Sequence, residues 1–168
     1  MNLIPNFLEE NVIQQILDYY ESKKCTASFE VAEHGRWVKD LYTGNMGSVY
    51  ILPLENFRNY FTQKFSSIFP EYRISTIYMH IWNIGSHINW HTDGDENRAA
   101  ATIYLNELWD PNWGGLFLFD NNGHASWFNP QYNGCAYFKS PMWHSVTMIN
   151  RNAQYPRLSV QLFFDKSL

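Results

Sequence analysis

Two stretches of the chain carry apolar residues at a helical period. In NFLEENVIQQILDYYESKK, Leu8, Val12, Ile16, Leu17 and Tyr20 fall on one face. Asn6, with Glu9 three residues on, reads there as an N-cap and its capping-box partner. In LENFRNYFTQKFSSIF, Leu54, Phe57, Phe61, Phe65 and Ile68 make a second stripe, closed by Pro70. From Arg73 onward the texture changes. RISTIYMHIW, AAATIYLN, GGLFLFD, GCAYF, HSVTMI and RLSVQLFF are short, rich in β-branched and aromatic residues, and separated by Gly, Pro, Asn and Asp. Gly85, Gly114, Gly115, Gly123 and Gly134 punctuate the predicted strand ends. The pattern predicts a mainly β fold with flanking helices, an antiparallel sandwich or jelly roll, with the helices over the outer face of one sheet. No repeat or Pro/Gly/Ser-rich linker interrupts residues 1–168, which read as a single domain with its N-terminal helices packed on the β-core.

Composition narrows the classes. An aromatic content of 18% within a hydrophobic content of 45% argues for a densely packed interior rather than disorder. The net charge of -4 offers no general attraction to nucleic acid or to anionic membrane. No apolar run has the length of a membrane span, and MNLIPNFLEEN lacks the basic and apolar regions of a signal peptide. Cys25 and Cys135 form no CxxC motif, so a Cys-rich zinc site is not expected; whether the two ever pair stays open. A reducing, cytoplasmic setting fits best.

Candidate chemistry begins at WHTDGD. His91 and Asp93 stand two apart after an aromatic run, a spacing that puts both on one side of a strand. A buried carboxylate needs a partner, which a metal supplies; a solvated turn after the strand is the other reading. Two His and one carboxylate on one face of a metal is the ligand set of non-haem iron(II) oxygenases. His144, opening the predicted strand HSVTMI, is able to supply the third ligand from across the fold. In RLSVQLFF, Arg157 and Ser159 lie on one side of the last strand, where Arg offers a planar fork for a carboxylate. An edge-strand Arg facing solvent is the alternative. His80 reads as a packed sheet residue, His87 as a possible lining of the entrance, His124 as an exposed hairpin residue, and Asp95 and Glu96 as solvated turn charges.

The ordered series WNIGSHINWHTD, RAAATIYLN, WGGLFLF, NPQYNGCAYF, HSV and PRLSVQLFF, with the opening IPNFLEENVIQQIL, resembles the 2-oxoglutarate- and iron(II)-dependent oxygenases of the prolyl 4-hydroxylase-like group. The resemblance covers most of the chain and thins between Glu21 and Phe57. It implies a double-stranded β-helix in which His91, Asp93 and His144 hold Fe(II). Arg157 and Tyr104 would bind the distal carboxylate of 2-oxoglutarate, with Ser159 in support. The implied reaction consumes 2-oxoglutarate and O2, releases succinate and CO2, and hydroxylates a C–H bond, with a peptidyl proline as the expected substrate. Related iron halogenases replace the carboxylate by a small residue, so Asp93 points to hydroxylation.

Two positions depart from the family pattern. Trp82 stands where many prolyl hydroxylases carry Tyr, and the segment from His144 to Arg157 is long, implying an extended loop through NRNAQYP. Arg98, Trp82, Asn89 and Trp143 flank the expected metal and are candidate substrate contacts at the mouth; Trp109 and Trp113 read as core. A small-molecule or free amino-acid hydroxylase on the same scaffold, or a non-catalytic jelly-roll binding module, are the other readings. Expected partners are a peptide, protein or small-molecule substrate, with no membrane and no nucleic acid.

Overall fold

The computed structural model describes residues 1–24, 30–31 and 49–167; Cys25 falls outside them. The chain runs through β1 (Asn2–Ile4), α1 (Glu10–Lys24), β2 (Glu30–Val31), β3 (Val49–Pro53), α2 (Arg58–Phe65), β4 (Tyr72–Trp82), β5 (Ile88–His91), β6 (Arg98–Tyr104), β7 (Phe117–Asn121), β8 (His124–Phe128), β9 (Cys135–Lys139), β10 (His144–Val146) and β11 (Arg157–Lys166). Short 3-10 turns cover Glu55–Phe57 and Pro111–Trp113. Among the described residues the strands form a seven-stranded sheet, in the order β1-β9-β6-β11-β4-β3-β2, and a four-stranded sheet, β5-β10-β7-β8. Every pairing is antiparallel. This is the expected mainly β jelly roll with flanking helices.

Strand parity divides the large sheet into two chemically different faces. Ile77, Met79 and Ile81 of β4, Ala99, Ala101 and Ile103 of β6, and Val160, Leu162 and Phe164 of β11 point outward. There they meet Ile13, Ile16, Leu54, Phe61 and Phe65 from the helical layer. Their alternates face the small sheet. Trp82, Ala100 and Phe138 join Ile88, Phe117 and Val146 in a second, smaller apolar cluster between the sheets. Apart from Phe163, the remaining inward positions of β11, β6 and β4 that reach the cavity are polar, and they build the site.

Three local expectations are corrected. Helix α1 begins at Glu10, so Asn6, at φ 50°, does not cap it. The preceding segment is tied elsewhere: Phe7 N–H donates to the Asn133 carbonyl (3.0 Å), Leu8 N–H to Asn133 Oδ1 (2.8 Å), and Asn133 Nδ2 donates back to Leu8 O (2.8 Å). Glu9 turns toward α2, accepting from Lys64 Nζ (2.8 Å) and from the Tyr60 hydroxyl. These bonds, the Lys64 one foremost, hold its carboxyl down at about 2. The third correction is that β5 ends at His91, so Asp93 lies in the turn beyond it and not on a shared strand face. Strands β1, β2, β3 and β8 were not expected from periodicity. In β7–β8 the turn is Asn122–Gly123, both at positive φ, and the exposed His124 opens β8.

Phe65 joins three parts of the helical layer. Its ring meets Phe7 at 5.0 Å, Phe69 at 6.1 Å and Phe164 of β11 at 5.1 Å. Phe65→Ala is expected to cost about 3–5 kcal/mol of stability. Urea unfolding followed by tryptophan fluorescence checks it; a loss under about 1 kcal/mol would mean the helices are not an integral part of the core.

Candidate functional site

The inner face of the large sheet is ordered in rows. Arg157 of β11 stands opposite Trp82 of β4. Two residues on, Ser159 lies between Tyr104 of β6 and His80 of β4, and two further, Gln161 lies between Thr102 and Tyr78. Across from these rows, His144 of β10 pairs directly with His91 of β5. A β-bulge in β5, where Ile88 pairs with Val146 but His91 with His144, lets both Ile88 and His91 face inward although they are three apart.

His91, Asp93 and His144 converge, with one ligand atom from each within 4.8 Å of the others. His91 Nε2 lies 3.5 Å from Asp93 Oδ1, and His144 Nε2 3.5 Å from Oδ2, so the carboxylate straddles both rings. The other ring nitrogens are fixed by backbone: His91 Nδ1 against Asn89 O (2.7 Å) and His144 Nδ1 against Met142 O (2.9 Å). A carbonyl accepts only, so each Nδ1 carries the proton and each Nε2 keeps its lone pair for a cation. Phe117 stacks on His144 at 5.3 Å and Phe138 meets it at 5.0 Å, which fixes the ring further. Burial alone disfavours the Asp93 anion, but the His91 and His144 rings beside it outweigh that and hold the carboxyl below its ordinary range. Burial likewise lowers His144, against the pull of Asp93. An ionised carboxylate between two neutral imidazoles is a donor set suited to a divalent cation such as Fe(II).

Arg157 is 2% exposed in a strand flanked on both sides, which rules out an edge-strand Arg facing solvent. Its guanidinium carbon lies 4.7 Å from the Trp82 ring centre and 5.7 Å from that of Tyr104. One Nη donates to the Gly115 carbonyl. Burial lowers its pKa to about 10, which leaves it charged at neutral pH. Among the described residues, the Arg157 Nε, the Tyr104 hydroxyl and the Ser159 hydroxyl are buried with no hydrogen-bond partner. Buried polar atoms are ordinarily satisfied, so three orphans around one buried cation fit an anionic ligand with several acceptor oxygens.

The triad and the Arg157 group line one cavity of about 460 Å³, its open mouth included. Its walls also include His80, Thr102, Gln161 and Phe163. These last four were missed as site residues, although the step of two along β11 from Arg157 and Ser159 leads straight to Gln161 and Phe163. His80 is buried as expected, and its pKa falls to about 3, chiefly through burial and then through Arg157.

The four expected substrate contacts are not gathered at a mouth. Trp82 is 3% exposed and lies against Arg157. Asn89 and Trp143 are exposed and do not line the cavity: Trp143 directly precedes the inward His144 and so takes the opposite parity. Arg98 is exposed, pairs with Asp165 at 3.4 Å, and lays its stem over Gly94 beside Asp93. Asp95 is more than a solvated charge: its Oδ1 accepts from Asn97 N–H (2.9 Å), and its carbonyl from Arg98 N–H (3.1 Å), closing the turn that carries Asp93. His87 sits away from the cavity, with Nδ1 3.2 Å from Gly85 O. Trp109 is core, donating from Nε1 to Gly114 O at 2.8 Å, and Trp113 packs on its ring at 5.3 Å. The long segment before Arg157 is anchored by Ile149, bridged to Gly114. A Cβ on Gly114, at φ 74°, would lie 1.9 Å from Met148 O.

The comparisons with known proteins agree with this geometry. The chain is similar to a prolyl 4-hydroxylase of Pseudomonas putida (TM-score 0.76, 17% identity, covering 98% of this chain and 92% of that one). It is similar also to a Trichoplax adhaerens prolyl hydroxylase solved with a peptide fragment of the hypoxia inducible factor oxygen degradation domain (TM-score 0.77, 16% identity, 98% and 83% covered). A third is the viral collagen prolyl hydroxylase of Paramecium Bursaria Chlorella virus-1, solved with 2OG (TM-score 0.67, 11% identity, 99% and 95% covered). At these identities the likeness is one of fold. No curated protein matches the sequence. The 2OG-Fe(II) oxygenase superfamily model matches residues 76–165, just over half the chain and every residue of the triad and the Arg157 group. The chain therefore belongs to the 2OG-Fe(II) oxygenase superfamily, which uses Fe(II), 2-oxoglutarate and O2.

Proposed function

We propose that the chain is a dioxygenase that hydroxylates a C–H bond of a peptidyl proline, converting 2-oxoglutarate to succinate and CO2. The observation that carries the reading is the pairing, in one cavity, of the His91–Asp93–His144 cluster with a buried Arg157 ringed by orphaned polar atoms. A sugar- or protein-binding jelly roll has no use for that pairing. The proline assignment rests on the kinship in fold with prolyl hydroxylases.

In this reading His91, Asp93 and His144 hold Fe(II), which supplies the oxidising chemistry when 2-oxoglutarate and O2 are bound. The chain's own residues act by binding, orienting and excluding water. The carbonyls of Asn89 and Met142 keep both Nε2 atoms aimed at the cation. Arg157 takes the distal carboxylate of 2-oxoglutarate, with the Tyr104 and Ser159 hydroxyls as further donors. Trp82 and Gly115 set the guanidinium in place before the ligand arrives, which reduces the ordering cost of binding. Phe117, Phe138 and Phe163 present apolar walls, keeping bulk water from the reacting atoms. No side chain has to transfer a proton.

Asp93→Ala is expected to remove Fe(II)-dependent succinate formation by more than the roughly 100-fold that loss of an outer-shell partner costs. Folded variant that keeps wild-type turnover would refute the metal assignment. Arg157→Ala is expected to weaken 2-oxoglutarate by about 3 kcal/mol, roughly 100-fold, while Fe(II) affinity stays unchanged. Anaerobic titration of the Fe(II) protein, read by the visible absorption of the 2-oxo acid chelate, measures both constants. Proline-containing peptides incubated with the loaded enzyme and read for a gain of one oxygen by mass test the substrate.

A further inference from the structure

The polar pair one row beyond Ser159 lies outside the group formed by Arg157, Tyr104 and Ser159. Thr102 and Gln161 face each other across β6 and β11, both buried, and the Thr102 hydroxyl donates to Gln161 Oε1 at 2.6 Å. This fixes the amide: with its oxygen turned to Thr102, Gln161 turns its Nε2 donors to other contacts. The row sits toward the triad. His144 packs on Phe138, whose neighbour across β6 is Ala100, in the row next to Thr102 and Gln161. Gln161 and the triad line the same cavity.

We propose that Gln161, oriented by Thr102, is the positioning donor for the 2-oxo acid end of the cosubstrate, the end that meets the triad. The inference rests on 2-oxoglutarate occupying this cavity. A dicarboxylate whose far end is held by Arg157, Ser159 and Tyr104 brings its other carboxylate to the cation. That carboxylate has more lone pairs than one cation takes, and a buried carboxylate oxygen without a donor is costly. Phe117, Phe138, Phe163 and Val146 on the surrounding walls have nothing to donate, and the Thr102 proton is already given to Gln161. His80 stands opposite Ser159 and Trp82 opposite Arg157, in the rows that serve the distal carboxylate. Gln161 Nε2 is the donor at the triad end.

The test uses two 2-oxo acids on the Fe(II)-loaded full chain without O2, read by the chelate absorption band. 2-Oxoglutarate probes both ends; pyruvate keeps the chelating end and lacks the distal carboxylate. Gln161→Leu is expected to weaken both ligands about tenfold or more, as loss of a hydrogen bond to a charged group does, and to shift the band. Thr102→Val, which frees the amide while keeping the side-chain shape, is expected to weaken both to a smaller degree. Arg157→Ala is expected to weaken 2-oxoglutarate and leave pyruvate as in the wild type. Wild-type binding of both ligands by Gln161→Leu overturns the proposal, as does a loss confined to 2-oxoglutarate. A pyruvate loss in His80→Leu without one in Gln161→Leu moves the role to His80 and overturns it too. No band in the wild type would instead remove the parent reading. Thermal melts and Fe(II) affinity, expected unchanged in Gln161→Leu, separate these outcomes from misfolding.

Discussion

A charged arginine in the middle of a central strand is the constraint around which the rest of this structure is arranged. Arg157 is bordered by β4 and β6, so it has no sheet edge from which to reach water. Leaving a guanidinium there unsatisfied would cost several kcal/mol, more than most single contacts return. The surroundings answer that cost in part. Trp82 gives it a π-face, Gly115 a carbonyl, and Gly115 is a glycine where a Cβ would lie 3.3 Å from the Arg157 side chain. The compensation stops short of a carboxylate, and the orphaned Tyr104 and Ser159 hydroxyls stop short in the same place. Protein groups alone leave this end of the cavity unbalanced, and the dianion proposed above would complete it.

The same constraint explains Trp82, which departs from the tyrosine common in related enzymes. Its place on β4 is set by register: it pairs with Arg157, so its ring becomes a platform for the cation. Read as a candidate substrate contact, it showed no tie to Arg157 in the sequence. Strand parity decides which of two neighbouring residues sees the cavity, and position along the strand decides which end of the cavity it sees. Sequence patterning reveals the first for long strands and not the second, because pairing partners lie far apart along the chain.

That distinction sorts what was legible. The long strands β4, β6 and β11 and both helical stripes were readable, since each repeats its period several times. β1 has three residues and owes its existence to β9, more than 130 residues away, so no local pattern announces it. β8 shows five positions that are mostly exposed, leaving no alternation to read. The inward set Arg157–Ser159 was visible by counting in twos. The convergence of His91 and Asp93 was anticipated for a reason that does not hold: the strand stops at His91, and a turn closed by Asp95 brings Asp93 round. The bulge in β5 was hidden as well, since an unpaired residue changes facing without changing composition.

The two faces of the large sheet divide the labour between stability and chemistry. Outward, β4, β6, β9 and β11 contribute aliphatic and aromatic side chains to one continuous core with the helices. Such a core of some twenty buried residues supplies stabilisation largely independent of what the inner face carries. Inward, the same strands carry Arg157, Ser159, Gln161, Thr102, Tyr104 and His80, groups that a core would exclude. Period-two alternation lets each strand serve both ends at once, because a substitution on one face leaves its neighbours on the other in place. The helical layer is therefore a condition of the site even though none of its side chains reaches the cavity. By securing the strands from behind, it fixes the register that brings Arg157, Ser159 and Gln161 into successive rows beneath His91, Asp93 and His144.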